Sequence, residues 1–467
     1  MKIEQIYTGC LAQGAYYIES NGEVAIIDPL REVQPYIDKA EENNSKIKYI
    51  FETHFHADFV SGHVTLAKRT GAKIIYGPNA STSFDAEIAK DNQEYVLGNV
   101  VIKVLHTPGH TMESSTFLLI DEKGKEHAIF TGDTLFLGDV GRPDLAQNAT
   151  GMTQDELAAT LFDSLRNKIM PLPNDLLVYP GHGAGSACGK NMSKETKGVL
   201  GEQKENNYAL RADMTKEEFV KEVTDGLLAP PVYFPLNVKM NREGYSDISD
   251  IIKAGSHALS PNDFENLAND SEALILDVRT QDEFAKAHIP NSIFIGLNGG
   301  FAPWVGALIG DVNQPILLVT PEGKEEEAIT RLSRVGFDNT LGCLEGGIDS
   351  WIKDGKEIAT VSSISAVDFS NELSNSPVFD VRKESEYLSE RIELAQNTPL
   401  DTLNNYLSDF PTEENFYLHC AGGYRSMIAA SILKNRGIHN FKDVSGGFGA
   451  IKEAGITTTD FVCPTTL

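Results

Sequence analysis

The sequence predicts an α/β protein: a layered sandwich with a polar site at one sheet edge, followed by a repeated pair of smaller α/β units. Three observations lead there. Strand-like apolar runs alternate with helix-like stretches through the first half of the chain. Four of those runs end in histidine or aspartate. The second half repeats its own pattern at an offset of about 100 residues.

In chain order, Glu23 to Ile27 is a buried strand closed by Asp28-Pro29, and Val33 to Asn43 has helical periodicity. Ile47 to Phe51 is a second buried strand, running into Thr53-His54-Phe55-His56-Ala57-Asp58-Phe59. Two histidines two apart at a strand's end can aim at one spot, and Asp58 adds an oxygen donor, so this stretch reads as metal-ligand chemistry. His63 to Thr70 looks helical and stops at Gly71, and Lys73 to Gly77 is a strand. Val100 to Leu105 runs into His106-Thr107-Pro108-Gly109-His110-Thr111. His127 to Phe130 ends in Thr131-Gly132-Asp133-Thr134, and Leu176 to Tyr179 ends in Pro180-Gly181-His182-Gly183. Cys10 reads as a core residue in a strand-like context, with lining the site as the alternative. From Glu202 to about Ile252 the chain turns polar, and Pro230-Pro231 with Tyr233-Phe234-Pro235 is expected to break regular structure in a helical extension.

A chain of 467 residues exceeds one ordinary core, and about three domains are expected. Hydrophobic content of 41% and charged content of 23% describe a globular protein. A net charge of −27 argues against nucleic acid and anionic membranes as partners. No apolar run approaches the roughly 20 residues that span a bilayer. The five cysteines are scattered and form no disulfide framework, and the N-terminus enters a strand-like pattern directly. A reducing, cytoplasmic location is therefore expected.

The combination T-H-F-H-A-D, T-P-G-H-T, T-G-D-T and Y-P-G-H, across roughly residues 1–250, resembles the metallo-β-lactamase fold. The resemblance implies an αββα sandwich. Two-metal hydrolases of that superfamily carry H-x-H-x-D-H, whereas this sequence has Phe59 in the last place, and a phenyl ring cannot coordinate a cation. His54, His110 and Asp133 would remain as a two-histidine, one-carboxylate face, the ligand type of non-haem Fe(II) oxygenases. The domain resembles the persulfide dioxygenases of the superfamily, which implies one Fe(II) per chain at those three residues. His56, Asp58 and His182 then orient ligands and water. Gly138 to Asp144 also looks like that family, with Arg142 either holding the ligand cluster together or binding an anionic substrate tail. Gly185-Ser186-Ala187-Cys188-Gly189-Lys190 looks like a stretch of the fused persulfide dioxygenase–rhodanese proteins, and Cys188 would carry persulfide sulfur to the metal.

The repeat pairs Ile275-Leu276-Asp277-Val278-Arg279 with Val378-Phe379-Asp380-Val381-Arg382, and Glu345-Gly346-Gly347 with Ser445-Gly446-Gly447. Each copy resembles a rhodanese domain. The expected domains are 1–252, 255–360 and 361–467. In the last copy, Cys420-Ala421-Gly422-Gly423-Tyr424-Arg425-Ser426 joins a strand to a helix. Backbone N–H groups of Ala421, Gly422, Gly423 and Tyr424 would cradle an anion at the helix start. With Arg425 close by, that favours a thiolate at Cys420. Ser426 completes the catalytic stretch. The middle copy has Val319-Thr320-Pro321-Glu322-Gly323-Lys324-Glu325 there, without cysteine, and is expected to be structural. Cys343 has no expected role.

The resemblance thus extends along the whole chain to the fused persulfide dioxygenase–rhodanese sulfurtransferases. It implies oxidation of a thiol persulfide by O2 to sulfite, then sulfur transfer through Cys420 to give thiosulfate, in a homo-oligomer. The alternative is a glyoxalase II-like thioester hydrolase fused to a sulfurtransferase. A third class, a sulfur carrier or sensor without turnover, would show stable persulfidation of Cys420.

Overall fold

The computed structural model describes residues 1–147, 151–227, 229–373 and 376–463. The chain divides into two compact units. One holds Met1–Ile248 together with Ser333–Gly336, and the other holds the rest, with both repeats in it.

In the first unit, strands β1 (Lys2–Thr8), β2 (Gln13–Ser20), β3 (Glu23–Ile27), β4 (Lys46–Glu52), β5 (Lys73–Tyr76) and β6 (Glu87–Ile88) form one sheet in sequential order. A second sheet runs β12 (Gly198–Val199), β11 (Leu177–Pro180), β10 (Glu126–Gly132), β9 (Ser115–Ile120), β8 (Val100–His106), β7 (Glu94–Leu97). The alternation of side chains explains why β3 is a continuous apolar run. Ala25 and Ile27 join Phe51, Phe117 and Phe130 between the sheets, while Val24 and Ile26 face the other way, onto Tyr36, Ala40 and Leu66. Those last three belong to the helices Gln34–Glu42 and His63–Thr70. The opposite sheet buries Leu118, Ile129 and Val178 against Ala158 and Leu161 of the helix Gln154–Ser164. The result is four layers, helix–sheet–sheet–helix.

The helix His63–Thr70 ends where expected, on Gly71 with φ +74°. Two local expectations need correction. Cys10 lies in the turn between β1 and β2, half-buried, and not in a strand. Pro235 does not break structure: it occupies the first turn of a helix, Phe234–Glu243, where its missing N–H costs nothing.

In the second unit, β13 (Ala258–Leu259), β14 (Leu274–Asp277), β15 (Ile293–Phe294), β16 (Ile316–Val319) and β17 (Thr340–Leu344) are ordered 13-17-16-14-15. Strands β18 (Ser363–Ile364), β19 (Val378–Asp380), β20 (Ala395–Asn397), β21 (Phe416–His419) and β22 (Phe441–Val444) are ordered 18-22-21-19-20, strand for strand the same. All pairs in both sheets are parallel. The repeat survives in detail. Arg279 forks onto Asp277 and donates to the Ala287 carbonyl, and Arg382 does the same with Asp380 and the Glu390 carbonyl.

Candidate metal centre and sulfurtransferase loop

The parallel pair β10–β11 and the end of β4 bring their C-terminal loops together. His54 follows β4, Asp133 follows β10 and His182 follows β11, while His110 comes from the loop after β8. All four are buried. His54 Nε2 lies 3.8 Å and His110 Nε2 3.5 Å from Asp133 Oδ2. That carboxylate oxygen has no hydrogen-bond partner.

The partners of each ligand fix which atom points inward. Thr53 Oγ1 donates to Asp28 Oδ2 at 2.8 Å, so its lone pair accepts from His54 Nδ1–H at 2.9 Å. His110 Nδ1–H donates to the Arg142 carbonyl at 2.8 Å. In the neutral ring, each of these bonds leaves Nε2 as the lone-pair donor. Asp133 Oδ1 accepts from His182 Nδ1–H at 2.8 Å, turning Oδ2 toward the two imidazoles. Burial and the neighbouring His56 hold His54 well below the usual imidazolium range, hence neutral. Burial alone would raise Asp133, but charged His182, hydrogen-bonded to its Oδ1, outweighs it and holds the carboxylate ionised. Two inward-facing imidazole nitrogens and one carboxylate, whose inward oxygen is without a hydrogen-bond partner, fit a divalent cation. The site also requires Gly141, where a Cβ would come 2.1 Å from the Asp133 carbonyl oxygen and 2.9 Å from His110 Nδ1.

The remaining expected residues fall into two further groups. Asp58, His182 and Cys188 present ligand atoms within 4.8 Å of one another. His182 sits between two carboxylates, with Nε2 2.8 Å from Asp58 Oδ2. Burial opposes its charge, but Asp133 and Asp58 hold its pKa well above the usual value. Burial first, then Asp58 and Asp133, pushes the Cys188 thiol well up. His56 joins neither group. Its ring lies beside that of His54, centroids 4.2 Å apart, but its Nε2 lies 3.1 Å from Asp28 Oδ1. Phe59 is fully buried against the His56 ring. Arg142 grips Asp144 with two bonds of 2.7 Å and reaches the Ala187 carbonyl, so its side chain braces the loop whose carbonyl orients His110. Thr53 and Asp28, to which the motifs gave no role, orient His54. Their signal was position: Thr53 directly precedes His54, and Asp28 closes the neighbouring strand.

In the last domain Cys420 follows β21, and the helix Tyr424–Asn435 starts four residues after the thiol. Gly423, with φ +99°, turns its N–H onto Cys420 Sγ at 3.1 Å. Ala421 and Gly422 are exposed beside it, and nothing stands within 4 Å of Gly422's open face. Buried Ser426 donates to the Gly423 carbonyl at 3.2 Å. Arg425 is committed elsewhere: it pairs with Glu386 through bonds of 2.5 and 2.8 Å, so its charge is shared and not reserved for the thiol. The Tyr424 side chain points away from the loop. Its hydroxyl donates to the Gly296 carbonyl at 2.7 Å and its ring meets Phe294 edge-on, both in the middle domain. In that domain Thr320 follows β16 as Cys420 follows β21, and it donates to Glu325 at 3.1 Å. Cys343, buried in β17, has its thiol pushed up to about 12 by burial.

Fold and site together define a metal-binding α/β sandwich joined to sulfurtransferase-type domains. Residues 8–182 match the metallo-beta-lactamase superfamily, and residues 260–354 and 365–454 each match the rhodanese-like domain. The chain belongs to the metallo-beta-lactamase superfamily and continues into two rhodanese-like domains. A probable hydroxyacylglutathione hydrolase of Schizosaccharomyces pombe is 34% identical over 35% of this chain and 60% of its own length. A cytoplasmic hydroxyacylglutathione hydrolase of Arabidopsis thaliana is 30% identical over 39% of this chain and 67% of its own length. The chain thus spans about two thirds or less of these relatives. A crystal structure of a metallo-beta-lactamase from Staphylococcus aureus is 29% identical, covers 74% of this chain and 98% of its own, and superposes with a TM-score of 0.64. No helix among the described residues is long and apolar enough to cross a membrane.

Proposed function

We propose that this protein oxidises a thiol persulfide with O2 to sulfite at a single iron, and moves sulfane sulfur through Cys420 to give thiosulfate. The observation that carries the reading is the His54–His110–Asp133 face, with both histidine tautomers set for metal binding and apolar Phe59 buried where a further ligand would stand in a two-metal hydrolase. Fe(II) held by those three residues would supply the redox chemistry for O2. Persulfide, O2 and water give thiol, sulfite and two protons. The protein's own groups do the rest. His182, charged between Asp58 and Asp133, places a positive group beside an anionic sulfur substrate. Cys188 lies in that cluster, where it can hand sulfur on. At the other site Cys420 attacks the outer sulfur of a persulfide, releasing the thiol, and the loop N–H groups hold the anionic sulfur until sulfite removes it as thiosulfate. The remaining expectations belong to the same reading: domain limits of 1–252, 255–360 and 361–467, a homo-oligomer, and a cytoplasmic location.

A hydrolase reading has one observation in its favour: the curated relatives are hydroxyacylglutathione hydrolases. Metal analysis of anaerobically purified protein, with oxygen uptake on adding a thiol persulfide, separates the two. About one iron per chain with persulfide-dependent uptake supports the dioxygenase. Two zinc ions, no uptake and hydrolysis of an acyl-glutathione refute it. Cys420→Ser should leave uptake intact and shift product from thiosulfate to sulfite.

A further inference from the structure

Behind the His54–His110–Asp133 face lies a second cluster that the proposed chemistry does not use. Asp28, Glu52 and His56 are at most 1% exposed, and their ligand atoms lie within 4.8 Å of one another. We propose that Asp28, Glu52 and His56 form a second buried cation site, for a divalent transition metal such as Zn2+, with His63 in reach as a fourth group.

Four observations carry this. First, the separations suit a shared cation. His56 Nε2 is 3.1 Å from Asp28 Oδ1 and 3.6 Å from Glu52 Oε2. Ligands at about 2.0–2.2 Å from a tetrahedral ion stand about 3.3–3.6 Å apart. Second, the cluster is left incomplete by its own hydrogen bonds. Glu52 Oε2, both nitrogens of His56 and both nitrogens of fully buried His63 lack partners, and His63 Nδ1 stands 3.6 Å from Glu52 Oε1. Third, the two carboxyl groups share the buried pocket with no lysine or arginine ion pair to either among the described residues, so no side-chain cation occupies the place between them. Fourth, the outer atoms are already oriented. Thr53 N–H and Oγ1–H grip Asp28 at 2.8 Å each, and Ser61 Oγ–H grips Glu52 Oε1 at 2.6 Å. Asp28 itself adopts φ +49°, which turns its carboxylate off the end of β3 into the pocket.

Two oxygens and one or two imidazole nitrogens suit a borderline cation such as Zn2+. Bound there, it would neutralise the carboxylate pair and tie the ends of β3 and β4 together beneath His54. The site is distinct from the Asp58–His182 neighbourhood, so its test separates it from a two-metal hydrolase.

The test is zinc content per chain after equilibrating the full-length protein with Zn2+ and removing excess, for wild type and Glu52→Gln. Loss of one equivalent in Glu52→Gln, with the His54–His110–Asp133 equivalent kept, is expected. Equal content in the two proteins overturns the proposal, whether that content is one ion or two. Anomalous diffraction from wild-type crystals at the zinc edge decides it without any variant. A peak between Asp28, Glu52 and His56 supports the site, and peaks only at His54–His110–Asp133 or Asp58–His182 refute it.

Discussion

Thr53→Val isolates what one hydroxyl does for the metal centre. Valine keeps the shape of the side chain, which packs against Gly132 where even a Cβ would come within 2.6 Å. It removes the bridge Asp28 Oδ2···H–Oγ1···H–Nδ1 His54. His54 Nδ1–H, fully buried, then loses its acceptor, at a cost of about 1–3 kcal/mol. The imidazole can recover by moving its proton to Nε2, which is the atom the metal needs. Loss of such an orienting partner weakens metal binding about 10–100-fold, or about 1.4–2.7 kcal/mol. The assay is competition with a chromophoric chelator, comparing wild type, Thr53→Val and Thr53→Ser, with thermal unfolding of each apoprotein alongside. Serine restores the hydroxyl and should recover most of the affinity. A valine variant that binds metal within twofold of wild type refutes the argument that this hydroxyl sets the His54 tautomer.

Other outcomes follow from the second unit. Asp443, buried on β22 with one oxygen unpaired, has its carboxyl pushed up to about 7 by burial against an ordinary 3.8. Its folded pKa is raised, so the folded state is favoured while it stays protonated, and stability is lost as pH rises through about 7. The difference corresponds to about 4 kcal/mol. Asp443→Asn should therefore gain stability over wild type as pH rises from about 4 to above 7, measured by thermal unfolding across that range; a constant difference would contradict it. Gly299→Ala would place a Cβ 2.3 Å from the Tyr424 ring. Overpacking there should cost about 1–3 kcal/mol and slow thiosulfate:acceptor sulfur transfer by displacing the residue that opens the helix after Cys420. Unchanged transfer would mean the middle domain does not support that loop.

Much of this protein was written in local sequence. The runs Glu23–Ile27 and Ile47–Phe51, the helix stopping at Gly71 and the doubled Asp-Val-Arg signature each depend on periodicity and turn chemistry within a few residues. Those properties act before the chain has packed. The same logic placed His54, His110, Asp133 and His182 at strand ends, because parallel strands in a layered sandwich deliver their C-terminal loops to one edge. What it could not decide was which partner each side chain takes. His54 and His56 are two residues apart, yet one faces Asp133 and the other Asp28 and Glu52. Arg425 sits five residues from Cys420 but is held by Glu386. Tyr424 belongs to the loop by sequence and reaches Gly296, 128 residues away. Hydrogen-bond and ion-pair choices in a buried pocket depend on distances of tenths of an ångström and on which charges share it. Only the packed tertiary structure fixes those, whereas a repeating pattern of apolar residues suffices to fix the layers.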